Sequence, residues 1–219
     1  MAVHAFVEFE MPEAEVFADL TGIRYDLMSA RSLARKLQSV MEGEEPDYEL
    51  VDALTTAILV RYSRPFSGGV RRWRAEDALN GLSEGQRQKH ERLRDFRDKH
   101  IAHSVNAFEE NQPIARYVEG REHLEGVYSV ECHHGRIVGL SSSETEGVVE
   151  LTTAMIEYVD SLLGVEKKAL LAKVRSISFE HLLLKGKSRT PLSPGVDIRR
   201  SRRESRVPMR DAPGPEEQK

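Results

Sequence analysis

Between Gln86 and Phe108 the chain holds three histidines, four arginines and two lysines. The run contains neither Gly nor Pro, so nothing in it interrupts a helix. Leu93, Phe96, His100, His103 and Ala107 recur at helical spacing on one stripe. Arg94, Arg97, Ile101, Val105 and Phe108 form the neighbouring stripe. His100 and His103 thus stand where a plain core helix would carry Leu or Ile, and such local inconsistencies tend to mark function. An imidazole titrates near neutrality and can take or return a proton. A guanidinium can hold negative charge that builds on phosphoryl oxygens. The competing reading is structural: hydrogen-bonded core histidines, with Arg97 and Asp98 paired to charges on neighbouring helices.

A second group of chemistry-bearing residues lies at 61–74. Arg61, Arg64, Arg71, Arg72 and Arg74 interleave there with Tyr62, Phe66 and Trp73. Pro65 and the Gly68-Gly69 pair make the segment a turn or loop. Guanidinium groups pair with phosphates and aromatic faces accept unstacked bases, which reads as an RNA-contact surface. The alternative is a loop whose aromatics anchor to the core while its arginines stay solvated. A third cluster, Cys132-His133-His134, invites a metal reading. Adjacent strand residues point to opposite faces, so these three do not converge on one ion, and no metal or other cofactor is expected.

The elements that must position these groups follow from hydrophobic period. The chain has 219 residues, 39% apolar and 31% charged, enough for one core with a tail. Net charge is −4, so overall charge does not announce a nucleic-acid binder. No apolar run approaches the roughly 18–20 residues of a membrane span, and the start does not read as a signal peptide. A cytoplasmic protein with no membrane partner is the expectation. Cys132 is the single cysteine, so no internal disulfide can form.

Residues 13–42 read as a long helix on Val16, Leu20, Ile23, Leu27, Ala34, Leu37 and Met41, closed by Gly43 and Pro46. Residues 47–62 read as a second, more central helix. Residues 75–82 add a short one, and Ser83 caps the helix of 86–108. The period then changes. Val127–Cys132 and Arg136–Leu140 read as a β-hairpin turning at Gly135, with His133 and His134 at its tip and Ile114–Val118 as a possible third strand. Residues 143–185 read as one or two helices, with Gly164 a potential kink. From 186 to 219 five prolines and the run Arg199-Arg200-Ser201-Arg202-Arg203 predict a disordered basic tail. The fold class is therefore mainly α: an up-and-down helical bundle over 1–185 with an inserted β-hairpin, followed by the tail.

Arg97-Asp98-Lys99-His100-Ile101-Ala102-His103 resembles the signature of the HEPN superfamily of prokaryotic helical proteins: an Arg, a polar residue, and a His a few residues on. The continuation is similar to HEPN-like proteins grouped with abortive-infection systems. The order of elements, including the Arg-Tyr-Ser-Arg-Pro-Phe segment after the second helix, is similar too, and the resemblance extends over roughly residues 10–180 on domain size. It implies a metal-independent endoribonuclease, a homodimer with the motif lining an interface groove, and a role in phage defence or a toxin–antitoxin pair with an antitoxin or regulatory partner. His103 would be the acid or base, Arg97 the phosphate clamp, Asp98 the group that orients one of them, and His100 a second proton carrier. On an α-helix Arg97 and His103 lie roughly 120° apart, so a shared site would need a two-fold interface. The Tyr that follows the His in nucleotide-modified toxins of this family is replaced by Ser104-Val105-Asn106, which leaves that control unsupported. The alternative is a non-catalytic HEPN-like module that binds RNA, a nucleotide or a partner protein.

Overall fold

The computed structural model describes residues 7, 9, 11–67, 75–101, 109–121, 123, 126–136 and 139–185. Among them the chain is mainly helical with one small antiparallel sheet. Helix α1 spans Ala14–Met41 and α2 spans Tyr48–Ser63. A 3-10 turn, Arg64–Phe66, and a 3-10 stretch, Ala75–Gly81, lead to α3, Glu84–Phe96. A π-helical turn, Arg97–Ile101, continues α3. Strands β1, Glu109–Tyr117, and β2, Val127–Arg136, precede the long α4, Ser142–Arg175, and the short α5, Phe179–Lys185.

The apolar stripes expected from sequence build the core. Leu20, Ile23, Leu27, Ala34 and Leu37 of α1 are buried, as are Val51, Leu54, Ile58 and Leu59 of α2 and Val148, Leu151, Met155 and Val159 of α4. Burying each such aliphatic side chain is worth about 1.5–3 kcal/mol. Helices α1 and α4 run antiparallel, as the cross-links Arg31 to Thr153, Arg24 to Asp160 and Glu13 to Lys173 require. Helix α3 is pinned to α4 by Lys89 Nζ to Glu150 and Arg92 to Glu144, each at 2.6 Å. Burial pulls the Glu144 carboxyl up, but hydrogen bonds from Ser141 and Arg92 outweigh it and hold the group below its usual range.

Helix starts follow side-chain capping. Ser83 Oγ accepts from Gln86 N and the Gln86 side chain accepts from Ser83 N, a reciprocal capping box. Ser141 and Glu144 form the same device at the start of α4. Gly139 enters that helix at φ +87°, with Val51 of α2 packed where a Cβ would stand. The next residue, Leu140, is buried and its N–H donates to Thr55 Oγ1 at 3.1 Å.

Three expectations are corrected. The helix expected over 86–108 keeps α-geometry only to Phe96, and strand pairing has begun by Glu109. The hairpin joins 109–117 to 127–136, not 127–132 to 136–140. Gly135 lies inside β2 opposite Glu110, and His133 and His134 face Gln112 and Asn111 within the ladder rather than at a tip. In the connection between the strands Gly120 and Gly126 stand at positive φ, where a glycine reverses the chain without strain. Finally, α4 passes unbroken through Gly164. The expected tail, 186–219, lies outside the described residues.

Candidate functional site

The motif residues Arg97 and Asp98 open the π-helical turn. The turn starts where the Arg97 N–H is shared between the carbonyls of Leu93 and Arg94. Leu93 and Phe96 are buried just before it, so α3 is held in the core up to the point where its register widens. Single π turns inside helices are rare and frequent at functional sites. In an α-helix, neighbours in sequence do not face each other. Here the Arg97 guanidinium donates to Asp98 Oδ1 at 2.7 Å, and the two side chains remain 39% and 51% exposed. The pair is oriented but open to solvent. A carboxylate on one edge of a guanidinium fixes its plane and leaves its other N–H groups for an incoming oxyanion. His100 lies in the same turn by its backbone. Its side chain and the whole of His103 lie outside the described residues, as do Arg71, Arg72, Trp73 and Arg74.

Arg61 and Arg64 are brought together, but on an acid. Both reach Asp26 Oδ1 on α1, at 3.2 and 3.4 Å. Asp26 is buried, and burying a carboxylate without a partner is expensive, so the two guanidinium groups offset that cost while staying about half exposed. Lys89 and Arg92 of α3 pair with α4, and Lys99 of the π-helical turn pairs with Asp95.

Sequence reasoning passed over one polar cluster. His90 of α3 is only 4% exposed. Its Nδ1 lies 2.7 Å from Tyr62 Oη, and the Phe66 ring meets it edge-on with centroids 4.6 Å apart. Burial raises the Tyr62 hydroxyl well above the usual phenol range, so it stays protonated and donates. Nδ1 then accepts, and the imidazole proton sits on Nε2, which is buried without a partner among the described residues. Burial, helped by the Arg94 cation, lowers His90 to about 4. At neutral pH His90 is therefore an uncharged pin between α2 and α3, poorly matched to proton transfer. The signal was present: His90 is three residues before Leu93, one turn back along the apolar stripe of α3.

Cys132, His133 and His134 are exposed and alternate between the two faces of β2, and among the described residues no three His, Cys, Asp or Glu side chains are grouped as metal ligands. His134 Nδ1 is 2.6 Å from Asn111 Oδ1 across the ladder. Among the described residues no helix is long and apolar enough to cross a membrane. No family model, curated protein or solved structure matches the chain.

Proposed function

We propose that this chain is a metal-independent endoribonuclease of the HEPN type. What supports the reading is the meeting of the Arg97-Asp98 motif with a π-helical turn that holds both side chains paired and solvent-accessible. In the reaction the RNA 2′-hydroxyl gives its proton to a histidine and attacks the adjacent phosphorus. The phosphorus–5′-oxygen bond breaks, and the 5′-oxygen takes a proton from a second acid. The products are a 2′,3′-cyclic phosphate and a 5′-hydroxyl. Arg97 neutralises charge on the non-bridging oxygens, His103 serves as base or acid with His100 as its complement, and Asp98 sets the plane of Arg97. The second histidine comes from the same protomer or from the partner in a homodimer.

One observation favours a non-catalytic module instead. Lys89 and Arg92 of α3, and Arg97 and Lys99 of the π-helical turn, already hold carboxylates, which reduces the positive charge there that could grip a phosphate backbone. The two readings separate in one experiment. Purified protein is incubated with a mixed RNA pool in EDTA beside Arg97→Ala and His103→Ala variants. The nuclease reading expects cleavage by the wild type, cyclic-phosphate ends, and a loss of at least about 100-fold in each variant. Equal cleavage by all three overturns it. Retained RNA binding without cleavage gives the module reading.

A further inference from the structure

Asp98 stands four residues after Arg94, the spacing at which an α-helix pairs opposite charges along one face. That pair is not made. In the π-helical turn Asp98 goes instead to its neighbour in sequence and takes the Arg97 guanidinium at 2.7 Å. Asp95 takes Lys99. Glu91, three residues before Arg94, is exposed and does not come within ion-pair distance of it. Among the described residues Arg94 therefore holds no carboxylate, in contrast to Lys89, Arg92, Arg97 and Lys99 around it.

Arg94 is exposed and lies three residues before Arg97 on one stripe. Side chains three apart on a helix have Cβ atoms about 5–6 Å apart. The backbone keeps the two close, because the Arg97 N–H reaches the Arg94 carbonyl as well as that of Leu93. Leu93 and Phe96 are buried on either side of this link and fix the helix there. Two guanidinium groups thus stand on neighbouring turns of an open surface. One is oriented by Asp98. The other carries up to five N–H donors and a full charge that no acid among the described residues offsets. Its field falls on the buried His90, four residues back, and disfavours the protonated ring. A cation placed in this way is a local inconsistency of the kind that marks function.

We propose that Arg94 is a substrate-binding residue that holds the phosphate next to the one at Arg97, so that an RNA strand is gripped at two successive phosphates along α3. The inference rests on the ribonuclease reading and deepens it. Arg97 meets the reacting phosphate, and Arg94 binds its neighbour in the ground state. The ligand chemistry is the phosphodiester backbone, recognised by charge and not by base, so Arg94 adds affinity without sequence preference.

An RNA strand carrying 2′-O-methyl groups lacks the attacking hydroxyl, so its binding is read without cleavage. The full chain is titrated into such a fluorescent strand at several salt concentrations. Each phosphate contact on a single strand contributes about 0.7 to the slope of log K against log salt. Arg94→Gln is expected to lower that slope by about 0.7 and to weaken binding about fivefold at about 0.1 M salt. Arg94→Lys keeps a point charge there and should keep the slope. The control is Lys168→Gln, an exposed cation about 36 Å along α4 from the Glu144 that Arg92 holds, which should bind as the wild type does. Wild-type binding and slope in Arg94→Gln overturn the proposal and leave the ribonuclease reading standing. Equal losses in Arg94→Gln and Lys168→Gln overturn it too, because they show a general effect of charge rather than a contact. No binding by the wild type even at low salt overturns the RNA reading and this inference with it.

Discussion

Acid should weaken this fold through His90. In the unfolded chain an imidazole titrates near 6.5, whereas burial and the Arg94 cation bring the folded value to about 4. The sign follows from which state binds more protons. Between those two values the unfolded state is protonated and the folded state is not, so acidification favours unfolding. The stabilisation is complete above about pH 6.5, falls as pH drops, and is exhausted below about pH 4. A gap of roughly 2.5 units at 1.36 kcal/mol each amounts to about 3 kcal/mol, of which about 2 kcal/mol is already lost at pH 5. Urea unfolding at pH 7.5 and pH 5.0 reads this directly, provided other groups are subtracted. His90→Gln does so, because its amide oxygen can still accept from Tyr62 but does not titrate. The wild type should lose about 2 kcal/mol more than His90→Gln over that interval. Equal losses, within about 0.5 kcal/mol, would refute the neutral, buried state assigned to His90.

Other perturbations test other parts of the fold. Gly139→Ala asks an L-residue to adopt φ +87° against Val51, and should cost about 2–4 kcal/mol as a lower urea midpoint. Ser141→Ala removes the cap of α4 and should cost about 1 kcal/mol, with Ser141→Asp restoring most of it in the same assay.

The helical part of the fold is legible in sequence because its signal is local and repeated. The apolar positions of α1 and α2 recur every three or four residues, and Ser83 stands three residues before Gln86, as a capping box needs. The hairpin is legible as strands but not in register. β1 reads Glu-Glu-Asn-Gln-Pro-Ile-Ala-Arg-Tyr, with no alternation and an internal proline, so its strand conformation comes from pairing with β2 rather than from propensity. Gly135 looks like a turn residue, yet only pairing decides which glycine turns. The π-helical turn is invisible for a related reason: hydrophobic period does not distinguish i→i+4 from i→i+5 bonding over one turn. Arg97 and Asp98 could be singled out by type and spacing. The partner of Arg61 and Arg64 could not, because Asp26 is 35 residues from Arg61 and is brought there only by the packing of α1 on α2.

Helix α4 has 34 residues, about 51 Å, but its last buried residue is Val159. The first half belongs to the shared core. Among the described residues the second half is held by two exposed ion pairs to α1 and by partly buried side chains such as Leu162 and Leu163 at the margin of the core. One continuous hydrogen-bonded helix therefore carries two different opening free energies. Amide hydrogen exchange should run as a gradient along it, slow at Leu151 and Met155 and fast beyond Ser161, without any break in the helix itself. Such a helix can melt back from its far end by several turns while the core stays closed, at a cost that includes exposing Leu182 of α5, which is buried.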